Sequence, residues 1–119
     1  MKHAVMFGAG NIGRGFLGQL FSESGYEVAF VDVDEALISA LNEGGRYRLR
    51  LVDNEHVDEV SISPVRALHS RQAVAVAEAL AGADIAATAV GARVLPHIAP
   101  LVAAGAVRRA EAAAPTPLK

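Results

Sequence analysis

Gly8, Gly10 and Gly13 stand in the run Gly8-Ala9-Gly10-Asn11-Ile12-Gly13, directly after the apolar stretch Ala4-Val5-Met6-Phe7. Each glycine has its own physical use. Gly8 permits a tight turn at a strand end. Gly10, without a side chain, lets a pyrophosphate approach the backbone. Gly13 lets a helix pack closely on the strand before it. Backbone N–H groups at the start of that helix, with the positive end of its dipole, then hold the two phosphates. Such spacing is common in glycine-rich turns. Its weight here comes from the strand expected before it and the helix expected after it.

Asp32 closes the next apolar run. A carboxylate there accepts hydrogen bonds from both hydroxyls of an adenosine ribose and repels a 2′-phosphate, which favours NAD over NADP. The competing use is to cap the following helix, for which Asp34 is better placed. Arg14 either reaches a phosphate or lies solvated on the helix. Ala89, Val90 and Gly91 end a later apolar run. Ligands of open α/β sheets bind beyond the carboxyl ends of strands, so this turn either passes beneath the nicotinamide ribose or is a plain strand-to-helix connection.

These residues need elements to position them. Residues 3–7 read as a strand buried on both faces. A helix is expected over 12–24, with Ile12, Phe16, Leu17, Leu20 and Phe21 inward and Gly25 as its stop. Residues 27–31 read as a second strand, and 35–42 as a helix with Ala36, Leu37, Ala40 and Leu41 inward, ended by Gly44 and Gly45. The period then changes. Tyr47, Leu49 and Leu51 alternate with Arg46, Arg48 and Arg50, as in a half-exposed strand, with a turn at Asp53 and Asn54 and a return over 56–62. Residues 71–81 read as a helix, with Val74, Val76, Ala77 and Leu80 inward and Gly82 as stop. Residues 85–90 read as another buried parallel strand. Residues 95–104 carry Leu95, Ile98, Ala99 and Val102 at helical spacing, the helix starting or kinking at Pro100.

This alternation predicts an α/β fold: a Rossmann-type doubly wound parallel sheet with right-handed crossovers and a small β-hairpin excursion. The domain is expected over 1–109, with 110–119 as a disordered tail. A complete doubly wound sheet has further strands, so the domain reads as truncated, with an exposed apolar edge.

The chain of 119 residues suffices for one compact domain. It is 52% hydrophobic and 20% charged with a net charge of -2, an ordinary globular composition. Nucleic acid or an anionic membrane would call for a clustered basic surface, so neither is an expected partner. There is no cysteine, which excludes disulfides and thiolate metal sites. No run has the length of a membrane span or a signal-peptide core, and a cytoplasmic location is expected. His3, His56, His69 and His97 show no metal-ligand spacing. Arg108 and Arg109 are expected to meet the dipole at their own helix end. Ser39, Ser61, Ser63 and Ser70 sit in no nucleophile elbow.

The run from Phe7 through Phe16, with Val31 to Asp34, the stretch around Tyr47, and Thr88 through Pro100, resembles the mannitol-1-phosphate 5-dehydrogenases. These form a branch of the metal-independent, polyol-specific long-chain dehydrogenases. The likeness covers almost the whole chain. The Asn-Ile-Gly-Arg-Gly form of the loop differs from the Phe-His-Arg version usual in members acting on free hexitols and hexuronates. The resemblance implies NAD as cofactor, held by Ala4 through Gly15 (Ala4, Val5, Met6, Phe7, Gly8, Ala9, Gly10, Asn11, Ile12, Gly13, Arg14, Gly15) with Asp32. It implies hydride transfer between D-mannitol 1-phosphate and D-fructose 6-phosphate. It also implies a separate, largely helical carboxy-terminal domain carrying a catalytic lysine with asparagine and histidine neighbours. Lys119 matches none of these, so no catalytic residue is assigned. The expected ligand is a small-molecule dinucleotide, joined by the sugar phosphate only where that second domain is present. The reading from another class is a non-catalytic dinucleotide-binding module or a degenerate gene product, using the same loop.

Overall fold

A computed structural model describes residues 1–10, 13–52, 54–111 and 117–119. Its centre is a four-stranded sheet of β1 (Lys2–Phe7), β2 (Tyr26–Asp32), β5 (Val65–His69) and β6 (Ile85–Thr88), in the order β5-β2-β1-β6. All three ladders are parallel. A separate antiparallel hairpin joins β3 (Tyr47–Val52) to β4 (Val57–Ile62). The helices are α1, which opens with a π-helical turn over Gly13–Leu17 and continues over Gly18–Glu23, α2 (Glu35–Gly44), α3 (Ala73–Ala81) and α4 (Leu95–Ala110).

Alternation along the central strands builds two apolar layers. Ala4, Met6, Val28, Phe30, Val65 and Ala67 face Phe21 of α1, Leu41 of α2 and Ile62 of the hairpin. Val5, Phe7, Ala29 and Val31 face Val76, Ala79 and Leu80 of α3 and Ile98 of α4. Burial on both faces explains why β1 and β2 read as continuous apolar runs.

The structure corrects several expectations. β5 is a strand that periodicity missed: it has only five residues, and its buried positions are Val65 and Ala67. It is an edge strand. Its outer backbone is met by the Asn42 side chain, which donates to Ala67 O and accepts from Ala67 N–H, both at 2.8 Å. That amide does the work of a further strand at this edge.

Leu20 is 50% exposed and Val74 67% exposed, although both were expected inward. The π turn widens the start of α1, so positions counted at α-helical spacing drift off its buried face. Val74 lies in the first turn of α3, where the buried residues are Val76, Ala77, Ala79 and Leu80. Ala36 and Ala40 are exposed, and α2 packs through Leu37, Ile38 and Leu41 instead. β6 is half-buried rather than buried.

Helix α4 runs through Pro100 to Ala110, longer than expected. It packs on α3 through Ile98, Leu101, Gly105 and Arg109, whereas Leu95, Ala99 and Val102 face outward. A Cβ on Gly105 would fall 2.5 Å from the Leu80 Cβ. Of the segment expected as a tail over 110–119, residues 112–116 lie outside the described residues; Lys119 lies along β6. Ala86 N–H donates to Lys119 O at 2.7 Å, and Lys119 N–H donates to Asp84 O at 3.3 Å. These two bonds follow the parallel pairing pattern and cover part of the edge expected to be bare.

Arg109 stands in the last turn of α4, as expected, and also reaches the end of a neighbouring helix. It is 9% exposed, and its Nη1 donates to the carbonyls of Leu80, Ala81 and Ala83 at 3.2, 2.9 and 2.6 Å. These carbonyls belong to the carboxyl end of α3 and the turn after it, where backbone acceptors outrun intrahelical donors; Leu80 O also accepts Ala83 N–H at 3.2 Å. Arg108 instead pairs with Glu78 at 3.2 Å. Arg109→Met keeps the apolar stem and strands those acceptors. Urea denaturation is expected to show a loss of roughly 1.5–3 kcal/mol, the range for hydrogen bonds to a charged group. An unchanged midpoint would contradict the capping role.

Candidate functional site

The three glycines answer to different constraints. Gly8 adopts φ +101°, and a Cβ on it would lie 2.8 Å from the Ala89 carbonyl oxygen. Its N–H donates to Val31 O at 2.8 Å, which turns the chain at the end of β1. A Cβ on Gly13 would collide with the Gly8 carbonyl. Both glycines are therefore required by the fold itself. Gly10 differs. It is exposed, its φ lies outside the left-handed region, and among the described residues nothing lies within 4 Å of where its Cβ would be. Its carbonyl accepts Arg14 N–H at 2.9 Å, leading the loop into α1.

Asp32 stands beside this loop at the carboxyl end of β2. Its Oδ2 accepts Ala9 N–H at 2.8 Å, and its Oδ1 accepts Val33 and Asp34 N–H at 2.7 and 3.0 Å. Burial works against its ionisation. The three backbone N–H groups and the Arg14 guanidinium outweigh burial and hold the carboxyl below the ordinary aspartate value of 3.8. Asp34, not Asp32, caps α2, accepting Leu37 N–H at 3.1 Å, as the sequence suggested. An ionised carboxylate offers about four acceptor positions. Three are taken, so one is left for a hydroxyl donor.

Next to Asp32, a cleft of about 400 Å³ is lined by Glu35, Ile38, Ser39, His69, Arg71 and Gln72. Arg71 pairs with Glu35 there. His69 is engaged locally: its Nδ1 accepts Arg71 N–H at 3.1 Å, and its N–H donates to Gln72 Oε1 at 2.8 Å.

The structure brings together Gly8, Ala9, Gly10, Gly13, Arg14, Asp32, Ala89 and Val90 at the carboxyl ends of the strands. Ala89 N–H donates to Phe7 O at 2.8 Å, so the later turn abuts the loop directly. Ala4, Val5, Met6 and Phe7 sit inside β1 with side chains at most 2% exposed. They carry the loop rather than present groups to it. Ala4 and Val5 instead line a small cavity of about 180 Å³ with His3, Glu27 and Arg66, at the other end of the strands. Gly91 is exposed, with open space around it. Asn11 and Ile12 lie outside the described residues. Sequence reasoning missed Tyr47, whose hydroxyl donates to Arg14 O at 2.7 Å. The only signal was an aromatic residue with a polar tip at the start of the alternating run.

The family described as the mannitol dehydrogenase Rossmann domain matches residues 2–119. The chain belongs to this family. Among curated relatives of this mannitol dehydrogenase Rossmann domain, the mannitol-1-phosphate 5-dehydrogenase of Brevibacillus brevis is 53% identical over 106 residues, covering 89% of the chain and 27% of that protein. The enzyme of the same name from Geobacillus thermodenitrificans is 50% identical over 107 residues, covering 89% and 28%. That of Lactococcus lactis subsp. lactis is 44% identical over 119 residues, covering 99% and 31%. The chain thus spans less than a third of the length of these relatives. Membership supports a nicotinamide dinucleotide as the class of ligand for the glycine loop. Among the described residues, no helix of the domain is long and apolar enough to cross a membrane.

The lowered pKa of Asp32 has a stability consequence. Its contribution is present above the unfolded value of 3.8 and is lost as pH falls through the lower folded value. Asp32→Asn removes that contribution. Urea unfolding at neutral pH and at steps below pH 4 is expected to show a shallower acid loss for Asp32→Asn than for the parent. Equal acid slopes would contradict the assignment.

Proposed function

We propose that the chain is the NAD-binding part of an oxidoreductase that interconverts D-mannitol 1-phosphate and D-fructose 6-phosphate by hydride transfer. The observation that carries this reading is Gly10. Gly8 and Gly13 are glycine because the fold leaves no room for a β-carbon, but no described group occupies the space at Gly10. A bare backbone facing open space at a helix start suits a pyrophosphate that must come within hydrogen-bond distance. The names of the relatives supply the sugar-phosphate chemistry.

Gly8 through Gly15, with Asn11 and Ile12 on the strength of the resemblance, would hold the pyrophosphate. Asp32 would take the adenosine ribose through its remaining acceptor position. This puts the adenosine half over β2 and β5. The nicotinamide half would then run toward β6, past Ala89, Val90 and Gly91. When bound, NAD supplies the hydride acceptor. The protein supplies its placement and the charge that selects it. Arg71 is engaged by Glu35, so a 2′-phosphate would meet the Asp32 carboxylate.

Oxidation of an alcohol also needs a base within reach of the hydroxyl proton. His69 stands at the end of β5, on the adenosine side, and is held by its own turn. We assign no base within residues 1–119, and the sugar phosphate would be met by other parts of the full-length enzyme. The reading carries a cytoplasmic location, with neither nucleic acid nor membrane as partner.

Calorimetric titration is expected to show NADH binding at least about tenfold tighter than NADPH, a difference of roughly 1.4 kcal/mol. Gly10→Val is expected to abolish NADH binding with an unchanged circular dichroism spectrum. NADPH binding of equal strength, or normal NADH binding by Gly10→Val, would overturn the assignment. The 119-residue chain alone is expected to give no NADH from mannitol 1-phosphate. Turnover that a point change within it removes would place a catalytic base here after all.

A further inference from the structure

The β3–β4 hairpin stands apart from the central sheet, yet it is fastened to the glycine-loop helix at three points. The Tyr47 hydroxyl donates to Arg14 O at 2.7 Å, within the π turn. The Tyr47 ring packs edge-on against Phe30 of β2, with centroids 5.9 Å apart and planes at 67°. The Tyr47 hydroxyl also fills the place where Gly18 would carry a β-carbon, and Leu49 Cδ1 lies 3.9 Å from the corresponding point on Gly15. The small residues after the loop are thus matched to the hairpin above them.

Arg14 links this contact to the loop. Its N–H is bonded to Gly10 O and its carbonyl to Tyr47, so its backbone is held from both sides. Its guanidinium lies near enough to act electrostatically on both Asp32 and Tyr47. Among the described residues, its Nε is the buried side-chain nitrogen without a hydrogen-bond partner. A buried donor left unmade is costly unless something completes it.

We propose that Tyr47 is a positioning residue for the dinucleotide: by holding the Arg14 carbonyl it pre-orders the turn Gly13–Leu17 and places the Arg14 guanidinium to meet a ligand phosphate. The inference rests on the reading of the glycine loop as a pyrophosphate site. The hydroxyl, not the ring alone, is the working group, since phenylalanine would keep the contact with Phe30. Burial pushes the Tyr47 hydroxyl up to about 12, so it remains a donor across the neutral range. A turn ordered in advance does not have to be ordered when the ligand arrives, and affinity rises accordingly.

The test uses Tyr47→Phe, Arg14→Met and their double variant in the 119-residue chain, with NADH, ADP and adenosine as probes. For Tyr47→Phe, NADH and ADP are expected to weaken about fivefold, the effect of one hydrogen bond. Adenosine, which has no phosphate, is expected to bind unchanged. Amide exchange is expected to speed up at residues 13–18. Because Tyr47 acts partly by aiming the Arg14 guanidinium, the double variant should lose less NADH affinity than the sum of the two single losses. NADH and ADP binding by Tyr47→Phe at parent strength would overturn the proposal. So would an equal loss for adenosine, additive losses in the double variant, or a Tyr47→Phe chain that does not fold. Parent protein that binds neither NADH nor ADP would contradict the pyrophosphate reading itself, and this inference with it.

Discussion

Gly13 lies against the carbonyl of Gly8 so closely that no β-carbon fits between them. This contact seats the start of α1 directly on the exit of β1. It leaves the chain only Gly8 through Ile12 to leave a buried strand and enter a helix. Gly8 takes the left-handed conformation, and its N–H bonds to β2. Ala9 is fully buried, with its N–H given to Asp32. Gly10 is then the part of the described loop turned outward. The first N–H groups of a helix lack intrahelical partners, and the proposed function has an anion use them at this end of the sheet.

Charge then organises the same end of the sheet. Asp32 gathers three backbone N–H groups from two segments, the glycine loop and the turn into α2, and so ties the loop to β2. Its ionised form is favoured despite partial burial, because the Ala9, Asp34 and Val33 N–H groups donate to it and the Arg14 guanidinium lies nearby. At the far side of the domain, Arg109 uses the opposite logic, giving a buried cation to the carbonyls that end α3. Both residues lie where helix and strand ends gather backbone groups of one polarity, and both meet them with a full charge.

Much of this was legible in the sequence because it depends on local rules. Glycine spacing after an apolar run, the strand-end acid, the Asp34 cap and the alternation of the Tyr47 run each follow from backbone geometry within a few residues. What stayed hidden depends on distant partners. β5 is too short to show a period, and its edge is completed by Asn42 from another element. Leu20 turned outward because α1 begins with a wider turn, which apolar spacing does not encode. Arg109 looked like an ordinary helix-end cation, and only the packing of α4 across α3 brings it to carbonyls about thirty residues away. Tyr47 carries no local mark of its bond to Arg14, because the hairpin meets α1 only in the folded chain.

The proposed function requires the carboxyl ends of β1 and β2 to bind a dinucleotide through the glycine loop. Titration of the isotope-labelled chain with NADH, followed by amide chemical shifts, tests it most directly. Saturable shifts are predicted at Gly8, Gly10 and Gly13, around Asp32, and at Ala89–Gly91, with little change at His3, Glu27 and Arg66 on the opposite end of the sheet. Shifts centred on His3, Glu27 and Arg66, or none at the glycine loop at saturating NADH, would contradict the account.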